Sequence, residues 1–130
     1  MDGGNPAIYG DGETNRDFCY IGNVIDANLR GATAEETAAV NNVYNIACGG
    51  QTSLNELFRM IRGEVAKYKP AAAKKKPDYG PFRQGDIRHS LANISKAKDL
   101  LGYDPKFDIS TGIAETVRWF ALKKTNDLLA

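Results

Sequence analysis

The stretch from Ser53 to Tyr68 constrains the fold most. Ser53 and Glu56 stand three apart, the spacing at which a serine hydroxyl and a glutamate carboxylate cap the start of a helix reciprocally. Leu54, Leu57, Phe58, Ile61, Val65 and Tyr68 then recur at three- and four-residue steps and lay one apolar stripe along that helix. A striped helix must be covered by another layer. Just upstream, Val43 to Ala47 is a compact apolar run closed by Cys48-Gly49-Gly50, and it reads as a buried strand leading into the helix.

The remaining segments alternate in the same way. Ala7 to Tyr9 and Arg16 to Ile21 are rich in β-branched and aromatic residues and flank GDGETN, whose Asp-Gly favours a tight reversal. The expectation is strand, turn, strand. If Arg16 to Ile21 is extended, period two puts Arg16, Phe18 and Tyr20 on one face and Asp17, Cys19 and Ile21 on the other. Asn23 to Arg30 predicts a short helix, with Val24 and Ile25 repeating on Ile21 and Gly31 placed as its C-cap. Lys69 to Pro81 carries three prolines and four lysines without apolar period, and reads as an exposed connector whose lysines are solvated. Asn93 can cap a helix running to Leu101 and closed by Gly102, and Ser110 can cap another through Ile113, Val117 and Phe120. Interleaved short strands and helices with no internal repeat make the class α/β or α+β.

Composition then excludes several functions. The chain has 130 residues, 42% hydrophobic, which is one domain with one core. Seventeen basic residues against sixteen acidic ones leave a net charge of +1, so no nucleic acid is expected as a partner recognised by bulk charge. Cys19 and Cys48 have no second cysteine or histidine near them in sequence, which suggests neither a metal site nor a disulfide framework. A reduced, cytoplasmic chain fits. The apolar runs are too short to span a membrane, and MDGGNPAIYG lacks the pattern of a signal peptide.

Catalytic chemistry is sparse. One histidine, no GxxxxGK[ST], no GxGxxG and no tyrosine followed four residues later by lysine leave no catalytic residue and no cofactor-binding turn; Tyr79 and Arg83 come nearest to the last pattern. What stands out is two arginine-centred sites, Arg16-Asp17-Phe18 and Arg83-Gln84-Gly85-Asp86. Guanidinium forks match phosphate oxygens, and a carboxylate accepts from sugar hydroxyls or orients the arginine. Two arginines converging on one site suit a diphosphate. Alone, an Arg-Asp neighbour pair is more often a surface ion pair than a ligand site; together the two weigh the readings evenly. For His89 a structural, hydrogen-bonded role is preferred.

Four stretches carry a resemblance: IYGDGETNRDFCYIGNVIDANL, NVYNIACG followed by TSLNEL, FRQGDIRHSLANISKAKDLLGY, and GIAETVRWF. In order and spacing, nearly from Asn5 to Phe120, they resemble the C-terminal portion of NAD-dependent nucleotide-sugar epimerases and dehydratases of the extended short-chain dehydrogenase/reductase superfamily. The RDFCYI and GDIRHS wording looks most like the UDP-glucose and UDP-N-acetylglucosamine 4-epimerases. The resemblance implies a Rossmann-type fold cut to its C-terminal part, with residues 1–130 a single substrate-binding domain and the NAD-binding domain absent. It implies that Arg16 and Arg83 grip the UDP diphosphate, that Asp86 binds the uridine ribose, that Phe18 lines the nucleotide pocket and that Tyr9 passes beside uracil. It gives Arg88 and His89 no ligand role. NAD belongs to the full-length family, and no cofactor is expected on this chain.

The expected role is therefore to hold a UDP-sugar, weakly, while chemistry at C4 is supplied elsewhere. Two alternatives stand beside it. One is a sibling activity, a UDP-sugar 4,6-dehydratase or a UDP-glucuronate decarboxylase. The other is a non-enzymatic module that forms a homo-oligomer because Val43 to Ala47 lacks its sheet.

Overall fold

The computed structural model describes residues 4–126. The elements run β1 (Ala7–Tyr9), β2 (Asn15–Arg16), α1 (Ile21–Ala32), β3 (Thr52–Ser53), α2 (Leu54–Tyr68), a 3-10 helix (Pro70–Lys74), β4 (Asp78–Gly80), α3 (Ser95–Leu101) and α4 (Ile109–Asn126). Short strands interleave with helices, as expected of an α/β chain.

The α2 helix starts where the sequence places it. The Ser53 hydroxyl accepts from the Glu56 N–H and the Glu56 carboxylate accepts from the Ser53 N–H, so the capping box closes on both sides. Two more first-turn donors are met from the turn before β2: Leu54 N–H donates to the Thr14 carbonyl at 3.1 Å and Asn55 N–H to the Gly12 carbonyl at 3.0 Å. Glycine suits position 12 in that turn better than any other residue. Its φ is +78° and any Cβ there would collide with the Asn55 side chain.

That turn explains why no hairpin forms. β1 pairs in parallel with β4, Ile8 opposite Tyr79, and β2 pairs antiparallel with β3, Arg16 opposite Thr52. The carbonyls of residues 12 and 14 are committed to α2, and β2 is drawn to β3 at the foot of the same helix. The connector also holds more order than its composition suggests, since it contains the 3-10 helix and β4. Beyond Arg16 the alternation ends: the chain enters α1 at Ile21, and Phe18, Cys19 and Tyr20 all line one groove.

The core lies between α1 and α3. Ala27, Ala47, Ile94, Ala97 and Tyr103 form it, with Tyr44 and Ile46 packed against it. The buried face of α1 is Asn23 and Ala27, whereas Ile21, Ile25 and Leu29 are 59%, 53% and 62% exposed. The small Ala27 faces the core beside Ala97, and Asn23 is kept inside by the backbone of Phe107. Its amide donates to the Phe107 carbonyl at 2.8 Å and accepts from the Phe107 N–H at 3.0 Å. The helix also continues through Gly31 to Ala32, closed by the Thr33 N–H on the Leu29 carbonyl.

Val43 to Ala47 is not a strand. Residues 42–46 have no regular structure because no neighbouring strand among the described residues offers them a ladder, and Val43 is 86% exposed. The run is held by side chains instead: Tyr44 OH donates to the Ala39 carbonyl, and Tyr103 OH donates to the Ala47 carbonyl at 2.8 Å. At the far end of the chain, Asn93 Oδ1 accepts from the Ser95 N–H and Gly102, at φ +60°, closes α3. The start of α4 is capped two residues earlier than expected. The Asp108 carboxylate takes the Thr111 N–H and the Ser110 hydroxyl, a stronger acceptor than serine itself.

Candidate functional site

Two segments about 70 residues apart meet at the site. The parallel pairing of β1 with β4 brings the chain after Gly80 alongside Gly10, whose N–H donates to the Gly80 carbonyl at 3.0 Å. Ile8 points into the protein and Tyr9 to the other side, as period two requires. The Arg83 guanidinium then lies over the Tyr9 ring, its central carbon 3.9 Å from the centroid. This is a cation–π contact that leaves the edge donors of the guanidinium free to point away from the ring.

From the second segment, Arg16 at the end of β2 donates through one nitrogen to its neighbour's carbonyl, Asn15, at 2.8 Å. Its other terminal nitrogen reaches Asp86 Oδ1 at 2.5 Å. Asp86 is presented by a turn closed from its own N–H to the Arg83 carbonyl at 3.3 Å, with Gly85 at φ +79° supplying the reversal. Tyr9, Arg16, Arg83 and Asp86 are thus gathered. Phe18 is placed apart from them, in a groove of about 370 Å³ between α2 and α4.

Tyr9, Arg83 and Asp86 stand at the mouth of a cleft of about 860 Å³ whose wall is apolar, built by Ile8, Leu57 and Phe58 among others. The residues of α2 read as a packing stripe are here the wall of an open space. No residue of α2 is fully buried. Electrostatically, Arg16 is neutralised by Asp86, while Arg83 has no carboxylate partner among the described residues. One oxygen of Asp86 holds Arg16 and the other remains an acceptor for a hydroxyl. A lining with two guanidiniums, Arg83 and Arg62, that have no carboxylate partner among the described residues, a third, Arg16, held beside it on the Asp86 carboxylate, and an apolar interior can hold an anion joined to a flat, less polar group.

Arg88, His89 and Asp11 complete the neighbourhood; in sequence neither Arg88 nor His89 had a ligand role, and Asp11 read only as part of a turn. Arg88 donates to Asp11 Oδ2 at 2.6 Å, and this hydrogen bond, followed by the Glu13 N–H, holds the Asp11 carboxyl below its ordinary value. His89 Nδ1 lies 3.1 Å from the Asn15 amide nitrogen, so the preference for a hydrogen-bonded histidine matches its surroundings. Tyr79 and Asn55 form a further link through a 2.7 Å hydrogen bond. The only hint in the sequence was Asp11 inside a turn motif, where aspartate is common for local reasons.

Cofactor and metal groups fit less well. After β1 the chain turns through Gly10 and Gly12 into β2 rather than into a helix, and the space a Cβ would occupy there is filled by Phe82 and Asn55. The helix N-terminus that meets this turn, that of α2, already spends its first N–H groups on the Thr14 and Gly12 carbonyls and on the Ser53 cap, so these residues do not fit the pyrophosphate of NAD. No cluster of His, Cys, Asp and Glu among the described residues is arranged to hold a metal ion. No helix among them is long and apolar enough to cross a membrane.

Residues 2–116 match the protein family described as GDP-mannose 4,6 dehydratase. The chain is 34% identical over 116 residues to a UDP-glucose 4-epimerase of Mycolicibacterium smegmatis, covering 89% of this chain and 34% of that protein. In structure it resembles a UDP-glucose 4-epimerase of Thermotoga maritima solved with UDP-glucose, with a TM-score of 0.77 and 37% identity over 93% of this chain and 35% of the other. A UDP-glucuronic acid 4-epimerase of Bacillus cereus, solved with UDP-glucuronic acid and NAD, matches with a TM-score of 0.66 and 26% identity over 88% and 36%. The chain spans about a third of the length of these relatives.

Proposed function

The chain belongs to the GDP-mannose 4,6 dehydratase family of NAD-dependent epimerases and dehydratases, and on that premise we propose that it is the UDP-sugar-binding part of a 4-epimerase. In this reading residues 1–130 are the C-terminal substrate-binding domain. Arg83 and Arg16 hold the diphosphate, Asp86 the ribose, Tyr9 flanks the base, and Phe18 lines the pocket from the adjoining groove. The observation that carries it is the uncompensated Arg83 guanidinium stacked on Tyr9 beside the Arg16–Asp86 pair, at the mouth of an apolar cleft. NAD, the catalytic Tyr-Lys pair and hydride transfer at C4 belong to the rest of the enzyme, so the chain alone is inactive. It resides in the cytoplasm, where nucleotide sugars are made. A homo-oligomer follows from the exposed Ile21, Ile25 and Leu29 stripe of α1 and from residues 43–46, which have no strand partner among the described residues.

UDP titration tests the site. Two charged contacts and half a pocket support a dissociation constant near millimolar, about 4 kcal/mol. Arg83→Ala and Arg16→Ala each weaken UDP, and Lys98→Ala, on α3 and outside the cleft lining, leaves it unchanged. Equal losses from all three mean diffuse charge and no site, and turnover of UDP-glucose by the pure chain means it is not a partial enzyme. The sibling dehydratase reading keeps the same UDP site, and differs in the chemistry carried by the relatives' remaining length.

A further inference from the structure

We propose that the Asp11–Arg88 ion pair is a positioning device that holds Arg83 and Asp86 in place, an inference that rests on the reading of the UDP site above. The segment that presents those two residues, 81–90, is largely without regular structure and exposed along nearly all its length. Burial does not shape it, so its geometry has to come from specific attachments. At its upstream end Phe82 packs its ring against Gly10, closely enough that a Cβ on the glycine would lie 2.6 Å from the ring. At its downstream end Arg88 reaches Asp11 at 2.6 Å, the Arg88 carbonyl accepts from the Asn15 N–H at 2.8 Å, and His89 meets the Asn15 side chain at 3.1 Å. Arg83 and Asp86 lie between these two anchors.

Asp11 is itself fixed. Its carboxylate accepts from the Glu13 N–H at 2.9 Å and its carbonyl accepts from the Asn55 amide at 3.0 Å, which ties it to the first turn of α2. The attachment therefore runs from a helix end, through the turn, to the segment holding the ligand residues. The Asp11 carboxyl stays below its ordinary value because of the Arg88 hydrogen bond, which agrees with a persistent pair. Arg88 is not among the residues lining the cleft, and its guanidinium is spent on Asp11. It acts on UDP through the shape of the segment, by fixing beforehand an arrangement that UDP would otherwise have to impose.

The test is UDP binding to the full 130-residue chain, followed by NMR titration, alongside thermal midpoints for each variant. Arg88→Met and Asp11→Ala are each expected to weaken UDP about threefold to fivefold, the scale of an exposed ion pair. The double variant is expected to be no weaker than either single one, because both remove the same link. Arg88→Lys restores most of the affinity. A merely structural role would lower the thermal midpoint and leave the affinity of the folded protein untouched, which overturns the proposal. If Arg88 touched phosphate itself, Asp11→Ala would free it and tighten UDP, which overturns it as well. Failure of the parent chain to bind UDP removes the site and this device together; binding by the parent with unchanged variants removes only the device.

Discussion

Asn23→Ala gives the sharpest test of how this fold is held. Asn23 is 2% exposed, on the inward face of α1, and its amide makes two hydrogen bonds to the backbone of Phe107, 84 residues away. Alanine removes both and leaves an N–H and a carbonyl of Phe107 without these partners, together with a small void. Leaving such groups unmet costs about 1–1.5 kcal/mol each, and with the void the loss comes to about 2–4 kcal/mol. That is a large fraction of the ~5–15 kcal/mol typical of a domain. An unfolding entropy of about 2 cal/mol/K per residue over 130 residues converts 3 kcal/mol into a drop of roughly 11 °C. The control is Asn28→Ala in the same helix, whose amide is exposed and reaches only the Val24 carbonyl. It should fall within about 0.5 kcal/mol of the parent, helped by alanine's better helix propensity. Denaturant unfolding of both variants decides the matter, and a loss below about 1 kcal/mol for Asn23→Ala, or equal losses for the two, refutes the reasoning.

Three further outcomes follow. The Glu56 carboxyl is held below its ordinary 4.5 by the N–H and hydroxyl of Ser53, so its contribution is complete above that pH and is lost as pH falls through the lower folded value; Glu56→Gln should flatten the acid side of the stability curve. Burial, then the neighbouring Cys19, pushes the Cys48 thiol up to about 11 from 9.0, so the stability linked to its neutral form is present below pH 9 and lost as pH rises toward 11; Cys48→Ala should reduce that alkaline decline in urea melts. Light scattering over a concentration series should show a dimer or larger assembly that Ile25→Lys with Leu29→Lys reduces, and a monodisperse monomer of the parent chain would contradict it.

Much of the local structure was legible because its signals are local. The capping box of Ser53 and Glu56, the asparagine before α3 and the left-handed Gly102 are decided within four residues of themselves. Pairing partners were not. The pattern of Ala7 to Tyr9 shows an extended segment but says nothing of which strand lies beside it, and that strand is at Asp78–Gly80, inside a lysine- and proline-rich connector. The face of α1 was misjudged for a related reason. Apolar period points to Ile21 and Ile25, whereas the inward position of Asn23 depends on a backbone segment far along the chain. At the site, Arg16, Arg83 and Asp86 drew attention because an arginine beside an aspartate is conspicuous in sequence, whereas Tyr9 was named only through the family resemblance; that Arg83 stacks on Tyr9 and Arg16 pairs with Asp86 is visible only in the fold. Asp11 escaped because in sequence it has all the reasons a turn aspartate needs.

The site joins residues 9–16 to residues 83–89, and each side is inert without the other: Arg16 has its carboxylate partner 70 positions further on, and β1 its strand partner among the described residues at 78–80. A ribosome adds about 5–20 residues per second, so the first half of the site waits several seconds for the second to be made. During that interval the α2 stripe, with its wall of leucines and Phe58, is already synthesised while β4 and the segment after it are not. The nascent chain therefore carries the apolar stripe of α2 without α4, which packs on it, until the last third of the molecule emerges, which makes that stripe a natural point of attachment for a holding chaperone and a place where an interrupted chain would aggregate.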